Sequence, residues 1–131
     1  MQSDAPRRIQ RKRAKGWKMP ANTVSICRPG AFGNPFTVAL ALESEYVATE
    51  SDAVPFVVEC FDDWLSGGRS GRDWWQGAES DKRRAEILRR LPELRGKSLA
   101  CFCPEGSPCH GDVLLRLANA PAAQEGEKAN G

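Results

Sequence analysis

The chain has 131 residues, 40% of them apolar and 27% charged, with 19 basic and 17 acidic side chains for a net charge of +2. That length suits a single domain able to bury a core without staples, and the composition is that of an ordinary soluble globule. No apolar run approaches the roughly 18–20 residues needed to span a bilayer, so no membrane partner is expected.

The first twenty residues carry Arg7, Arg8, Arg11, Lys12, Arg13, Lys15 and Lys18 against one acid, Asp4, a balance of +6, while the remaining 111 residues hold twelve basic and sixteen acidic side chains, a balance of −4. Two readings of this asymmetry stand side by side. A mobile arm contacts nucleic-acid phosphates through Arg8, Arg11, Lys12, Arg13 and Lys15, or the arm folds back on an acidic body. The opening "MQSDAPRRIQRKR" has no apolar stretch behind its charges, so it does not read as a secretory signal, and a cytoplasmic location is expected. In a reducing compartment five cysteines, an odd number, point to ligands, catalysts or core residues rather than a disulfide framework.

In chain order, "NTVSIC" (22–27) is β-branched and short and reads as a strand. "RPGAFGNPF" (28–36), punctuated by Pro29, Gly30, Gly33 and Pro35, reads as a shaped loop with Phe32 and Phe36 as anchors. "TVALALESEYVA" is ambiguous between strand and helix. Ser51 or Asp52 caps a helix that has Pro55 in its first turn and Val57, Phe61, Trp64 and Leu65 on one face, with Gly67-Gly68 as the stop. A polar loop follows. Ser80 and Asp81 open a second helix with Ala85, Leu88 and Leu91 on one face and Pro92 closing it. "KSLACFC" (97–103) is the second strand, and "CHGDVLLRLAN" opens the last helix. The segments divide into a basic arm (1–20), an α/β domain (21–119) and a polar tail (120–131) expected to be disordered. Strands separated by helices predict a small single α/β domain with a short, mostly parallel sheet and flanking helices. Ligands in such sheets lie beyond the carboxyl ends of the strands, which brings the loop after Cys27 and the loop after Cys103 to one edge.

"LACFCPEGSPCHGDVLLRLAN" (99–119) concentrates three cysteines and the only histidine in ten positions. Strand alternation places Cys101 and Cys103 on one face. Four soft or borderline donors are enough for a tetrahedral zinc, but the spacing is not the C-x(2–4)-C of common knuckles, and Cys109 and His110 are adjacent; no metal ligand or other cofactor is assigned. A thiol reading assigns Cys109, at the start of a helix, as the most acidic sulfur, with His110 for proton transfer and Asp112 orienting it or stabilising the first helical turn. Cys101, in apolar surroundings, is then the least reactive, and Cys27 and Cys60 belong to the core. The helix start is also an anion site, with Arg28 as cationic partner, Asn34 reading a polar edge, Gly33 allowing backbone approach and Cys103 reaching the pocket from the end of the strand.

"RRIQRKRAKGWKMP", "NTVSICRPGAFGNPF" and "LRGKSLACFCPEGSPCHGDVLLRLAN" resemble, in that order, the blocks of an uncharacterised bacterial and phage family, domain of unknown function 4326, over most of residues 7–119. "GNPF" followed by C-x-C-x5-C-H-x-D carries the resemblance. The family usually has a hydroxyl residue after its Arg-Pro pair, where this chain has Gly30. The Cys-His step is also similar to that of another uncharacterised family. The resemblance implies that the basic segment is part of the domain and supplies no reaction. The functional expectation is a pocket that binds or acts on a nucleotide or related phosphorylated ligand. The alternatives are a nucleic-acid-binding module with a basic arm and a small zinc-stabilised interaction domain. Whether the chain is an enzyme, and its oligomeric state, are left open.

Overall fold

The computed structural model describes residues 6–28, 30–67, 75, 77–104 and 106–120. Three short strands, β1 (Arg8–Gln10), β2 (Thr23–Ser25) and β3 (Ser98–Cys101), form one sheet in the order β1-β3-β2. Both pairings are parallel, with Arg8 opposite Leu99 and Thr23 opposite Ser98. The expected parallel α/β arrangement is the one found, with an added strand. β1 comes from the basic segment, in which only Ile9 marks a strand, so the sheet crosses the boundary drawn at residue 20. "SLAC" occupies the centre because it is the most apolar of the three, and Leu99 and Ala100 are fully buried. The ladder continues beyond β2 and β1 through Ile26 N–H to Ala100 C=O (3.0 Å) and Arg11 N–H to Cys101 C=O (2.7 Å).

Four helices, α1 (Val38–Glu43), α2 (Glu50–Leu65), α3 (Ala78–Arg90) and α4 (His110–Ala118), are described, with a 3-10 turn at Leu91–Leu94 after α3. The ambiguous segment after Phe36 is therefore helical: the Thr37 hydroxyl accepts from Leu40 N–H and caps α1. α2 starts earlier than Ser51 because Thr49, whose hydroxyl accepts from Asp52 N–H, is the cap. α3 likewise starts before Ser80, at a Gly77 cap with φ of 105°. Its inner face is the expected one in part, since Leu88 and Leu91 pack against the core. Ala85 is exposed, whereas Ile87 is fully buried and Ser80 is buried as the acceptor for Trp64 Nε1–H at 2.9 Å. The α-helix ends at Arg90, just ahead of Pro92 as expected, and Pro92 sits in the first positions of the 3-10 turn that follows. The polar loop at 68–74 and the tail from 121 onward lie outside the described residues.

α4 packs on β1 and β3, and α2 packs on α1, α3 and α4. The core between them centres on Trp64, Phe36 and Phe61, with Phe36 edge-on to Trp64 at 5.5 Å and Phe61 tilted against Trp64 at 6.0 Å. Burying three aromatic rings of roughly 150–250 Å² each dominates the packing energy. It also seats the loop after β2, because Phe36 is that loop's last residue. Among the described residues no helix is long and apolar enough to cross a membrane.

Candidate ligand pocket and thiol cluster

Because every strand runs the same way, the segments after β1, β2 and β3 emerge on one edge of the sheet. β3 ends at Cys101, and the chain leaves the strand through Phe102 and Cys103 with the two sulfurs still on one side, 3.8 Å apart. It turns at Pro104–Ser107 (Ser107 N–H to Pro104 C=O, 3.1 Å) and enters α4 at Cys109. Cys109 is the N-cap, extended at φ −151° and ψ 143°, and its Sγ accepts from Gly111 N–H at 3.4 Å. The result is a triangle of Cys101, Cys103 and Cys109 sulfurs, all within 4.8 Å of one another. Three sulfurs so placed are a candidate donor set for a metal ion.

The sulfurs set one another's acidity. Cys101 accepts from the Cys103 and Cys109 thiols, which draws its pKa far below the ordinary thiol value against the opposing effect of burial. Cys109 is pushed up, first by its hydrogen bond to Cys101, then by that to Cys103 and by burial. Cys103 is raised chiefly by its hydrogen bond to Cys101. The expectation that Cys109 is the acidic thiol and Cys101 the inert one rested on the helix start alone; here the three sulfurs share hydrogen bonds, and their acidity belongs to the cluster rather than to one residue. The donation from the helix start exists, but the neighbouring sulfurs outweigh it.

His110 is 6% exposed, edge-on to Phe61 at 5.2 Å. Its Nε2–H donates to Ile26 C=O at 2.9 Å, because a carbonyl can only accept; this leaves the Nδ1 lone pair 3.9 Å from Cys109 Sγ. Burial lowers its pKa, against the opposing charge of Cys101 and the Ile26 carbonyl, so the ring is neutral at pH 7. Asp112 takes no part in orienting it. That carboxylate is half exposed and accepts from Arg8 Nε at 3.3 Å.

Arg8 is the organiser of the second loop. Its Nη1 donates to Cys103 C=O (3.1 Å) and its Nη2 to Pro104 C=O and Ser107 C=O (both 3.0 Å). A planar guanidinium matches three converging carbonyls as an ammonium cannot. Gly111 is required for the same reason of space, since a Cβ there would lie 2.8 Å from Ile26 Cδ1 and 3.3 Å from Arg8 Cδ.

The first loop is built with similar economy. Asn34 is buried with both ends of its amide occupied, Nδ2 donating to Val57 C=O (3.1 Å) and Oδ1 accepting from Phe36 N–H (2.9 Å). Its role in this geometry is to tie the loop to α2. Gly33 permits close approach of the chain to itself, because a Cβ there would meet Arg28 Cγ at 2.7 Å and Arg28 Cα at 2.9 Å. Its carbonyl accepts from Arg83 at 2.8 Å. Arg28 is exposed, with one N–H donated to Asn34 C=O at 2.8 Å, which leaves the rest of its fork toward solvent.

Between the two loops lies a cavity of about 430 Å³. Arg28, Asn34, Cys103, Cys109 and His110 all line it, so five of the residues singled out from sequence meet in one place. Gly33 and Asp112 are not among its lining residues. Cys101 and Cys27 are, although both were assigned to the core. Cys101 is buried and packs in the core while its sulfur joins the cluster. Cys27 is half-buried and accepts from Arg11 at 3.6 Å. Cys60, on the inner face of α2, does belong to the core, and burial beside Glu59 and Asp63 pushes its pKa up to about 11. Phe102 and Thr37, which carried no signal in the sequence, also line the cavity. The Phe102 ring bears the Arg13 guanidinium at 4.1 Å and that of Arg11 at 4.7 Å, a pair of cation–π contacts at the rim. Lys12 and Lys15 are exposed.

No curated protein and no solved structure matches the chain. Residues 9–120 match the family model described as a domain of unknown function (DUF4326), a span that takes in β1, both loops and the cysteine cluster. The chain belongs to the DUF4326 family.

Proposed function

We propose that the cavity binds a phosphorylated small molecule of nucleotide size. The observation that carries this reading is the charge of the lining. Arg13 and Arg28 border the cavity, and among the described residues no carboxylate does. An anion entering it meets the charge of two arginines focused by low-dielectric walls. Phe36, Val54, Val57 and Val58 supply an apolar side on which the non-phosphorylated part of a ligand rests. The volume falls within the roughly 300–1,000 Å³ of small-molecule sites. Cys103, Cys109 and His110 line the same cavity, so a ligand held by Arg28 shares it with two thiols and an imidazole.

The test is thermal-shift and calorimetric titration with nucleoside phosphates, the parent nucleosides and inorganic phosphate. Phosphorylated compounds should stabilise the wild type, and Arg28→Ala should weaken that binding by about 10- to 100-fold, the loss of charge-assisted hydrogen bonds worth roughly 1.5–3 kcal/mol. Equal binding of nucleoside and nucleotide, or no effect of Arg28→Ala, would sink the reading.

A second reading, contact with nucleic acid, is favoured by the Arg11–Phe102–Arg13 stack at the rim with Lys12 and Lys15 exposed on the same segment. Aromatic rings beside cations bind single strands through base stacking and phosphate contact. On this reading Arg8 acts through the fold, since its donors are held by the loop carbonyls and Asp112.

A further inference from the structure

We propose that Cys101, Cys103 and Cys109 hold one zinc ion at the floor of the cavity, with its fourth coordination position open to the cavity. This goes beyond the anion reading and does not depend on it.

Geometry comes first. A zinc–sulfur bond of about 2.3 Å in a tetrahedral centre puts neighbouring sulfurs about 3.8 Å apart. The Cys101 and Cys103 sulfurs are 3.8 Å apart, and the third sulfur completes a triangle with no edge above 4.8 Å. A contraction of a few tenths of an ångström to one ångström at Cys109, within reach of a χ1 adjustment, closes the site.

Support comes second. Metal sites need ligands held in place by their surroundings. Here one sulfur sits on the central strand, one on the loop that Arg8 pins through the Cys103, Pro104 and Ser107 carbonyls, and one on the N-cap of α4. The arrangement is thus organised by hydrogen bonds that do not involve the sulfurs' own bonds to a metal.

Donor chemistry comes third. Three thiolates and no carboxylate select a borderline or soft ion such as zinc over magnesium or calcium. Three thiolates on Zn²⁺ leave a net charge of −1, and the Arg8 guanidinium sits on the backbone of the same loop. On binding, any proton a sulfur still carries is released to solvent as that sulfur bonds the metal. The imidazole of His110, with Nδ1 3.9 Å from Cys109 Sγ, is not in the group of donors that all lie within reach of one another. The fourth position therefore falls to water or to a ligand in the cavity that all three cysteines line.

The full chain, reduced and stripped of metal with a chelator, should take up one equivalent of Zn²⁺ in competition with a chromophoric chelator. Co²⁺ in its place should show the intense visible bands of a tetrahedral ion and the near-ultraviolet sulfur-to-metal band of three thiolates, a readout that needs no variant. Cys103→Ser, on the half-exposed loop, should weaken Zn²⁺ at least a hundredfold. Cys60→Ala and His110→Ala should each keep one equivalent. Arg28→Ala should also keep one equivalent, so failure of the anion reading and failure of this one are separately visible. Absence of stoichiometric uptake, a six-coordinate Co²⁺ spectrum, a Cys101–Cys103 disulfide in the reduced preparation, undiminished affinity in Cys103→Ser, or loss of zinc in His110→Ala would each overturn the proposal.

Discussion

Arg8 and Cys103, 95 positions apart in sequence, are joined by a 3.1 Å hydrogen bond from the guanidinium of the first strand to the carbonyl that follows the last. The same fork reaches Pro104 and Ser107, so a residue of the basic segment shapes the loop that carries the cysteine cluster. Arg8→Ala should destabilise the fold by about 2–3 kcal/mol, the value of charged hydrogen bonds to carbonyls left without partners. Arg8→Lys should recover less than half of that, because an ammonium lacks the planar fork. Asp112→Ala, which removes only the half-exposed ion pair, should cost under about 1 kcal/mol. Urea denaturation of the three variants ranks them, and an Asp112 effect as large as that of Arg8 would place the energy in the ion pair instead.

Gly111 should be intolerant of a methyl group. Gly111→Ala introduces a Cβ 2.8 Å from Ile26 Cδ1, an overpacking cost of roughly 1–3 kcal/mol that exceeds the gain in helix propensity of under about 1 kcal/mol. Ile26→Val removes the atom met. In a double-mutant cycle the pair should therefore be more stable than the sum of the single changes by about 1 kcal/mol, and strict additivity would refute the contact.

Exposed cations on the segment after β1 should bind nucleic acid weakly and without sequence preference. Lys12→Ala with Lys15→Ala should lower the slope of log K against log salt by roughly 1.4–1.8, at about 0.7 per phosphate contact on single strands and 0.9 on duplex. Point variants are the informative form, because deleting the segment also removes β1. Fluorescence anisotropy across a salt series reads the slope; an unchanged slope excludes these lysines from any such contact.

Cys60 links stability to alkaline pH. Its folded pKa, about 11, lies above the reference thiol value of 9.0, so the folded state holds the proton more tightly than the unfolded one. The contribution is fully present below pH 9 and is lost as pH rises through the window to about 11. Chemical denaturation of wild type and Cys60→Ala should show a constant difference up to pH 9 that then shifts in favour of the variant. A difference flat to pH 11 would show the thiol unshifted.

Much of the architecture was legible because local signals agreed with it. Helix α2 follows from its apolar spacing, β2 and β3 from short β-branched or apolar runs, and parallel strands then forced the two loops onto one edge. Strand alternation alone brought the Cys101 and Cys103 sulfurs together. The misreadings have long-range causes. "RIQ" becomes a strand only because Leu99 and its neighbours offer a ladder 91 residues away. Asn34 looked free to read a ligand, but Val57 on α2 and Phe36 N–H occupy it. Arg8 looked like a solvent-facing charge in a basic run, and the carbonyls that claim it follow the last strand. Gly111 gave no local signal at all, since its constraint is the Ile26 side chain of another strand's end.

The strand order has a consequence for how the molecule comes into being. β1 and β2 each pair with β3 and not with each other. A nascent chain that has not yet reached Ser98 therefore owns no β-ladder, however long it waits. Helices α1 to α3 can form early from local contacts, but β1 stays without its partner strand until the last quarter of the chain is made, and such distant pairing is slow to nucleate. Both pairings are thus committed in a single late step: loss of β3 abolishes the sheet, whereas loss of β1 leaves the β2–β3 pair.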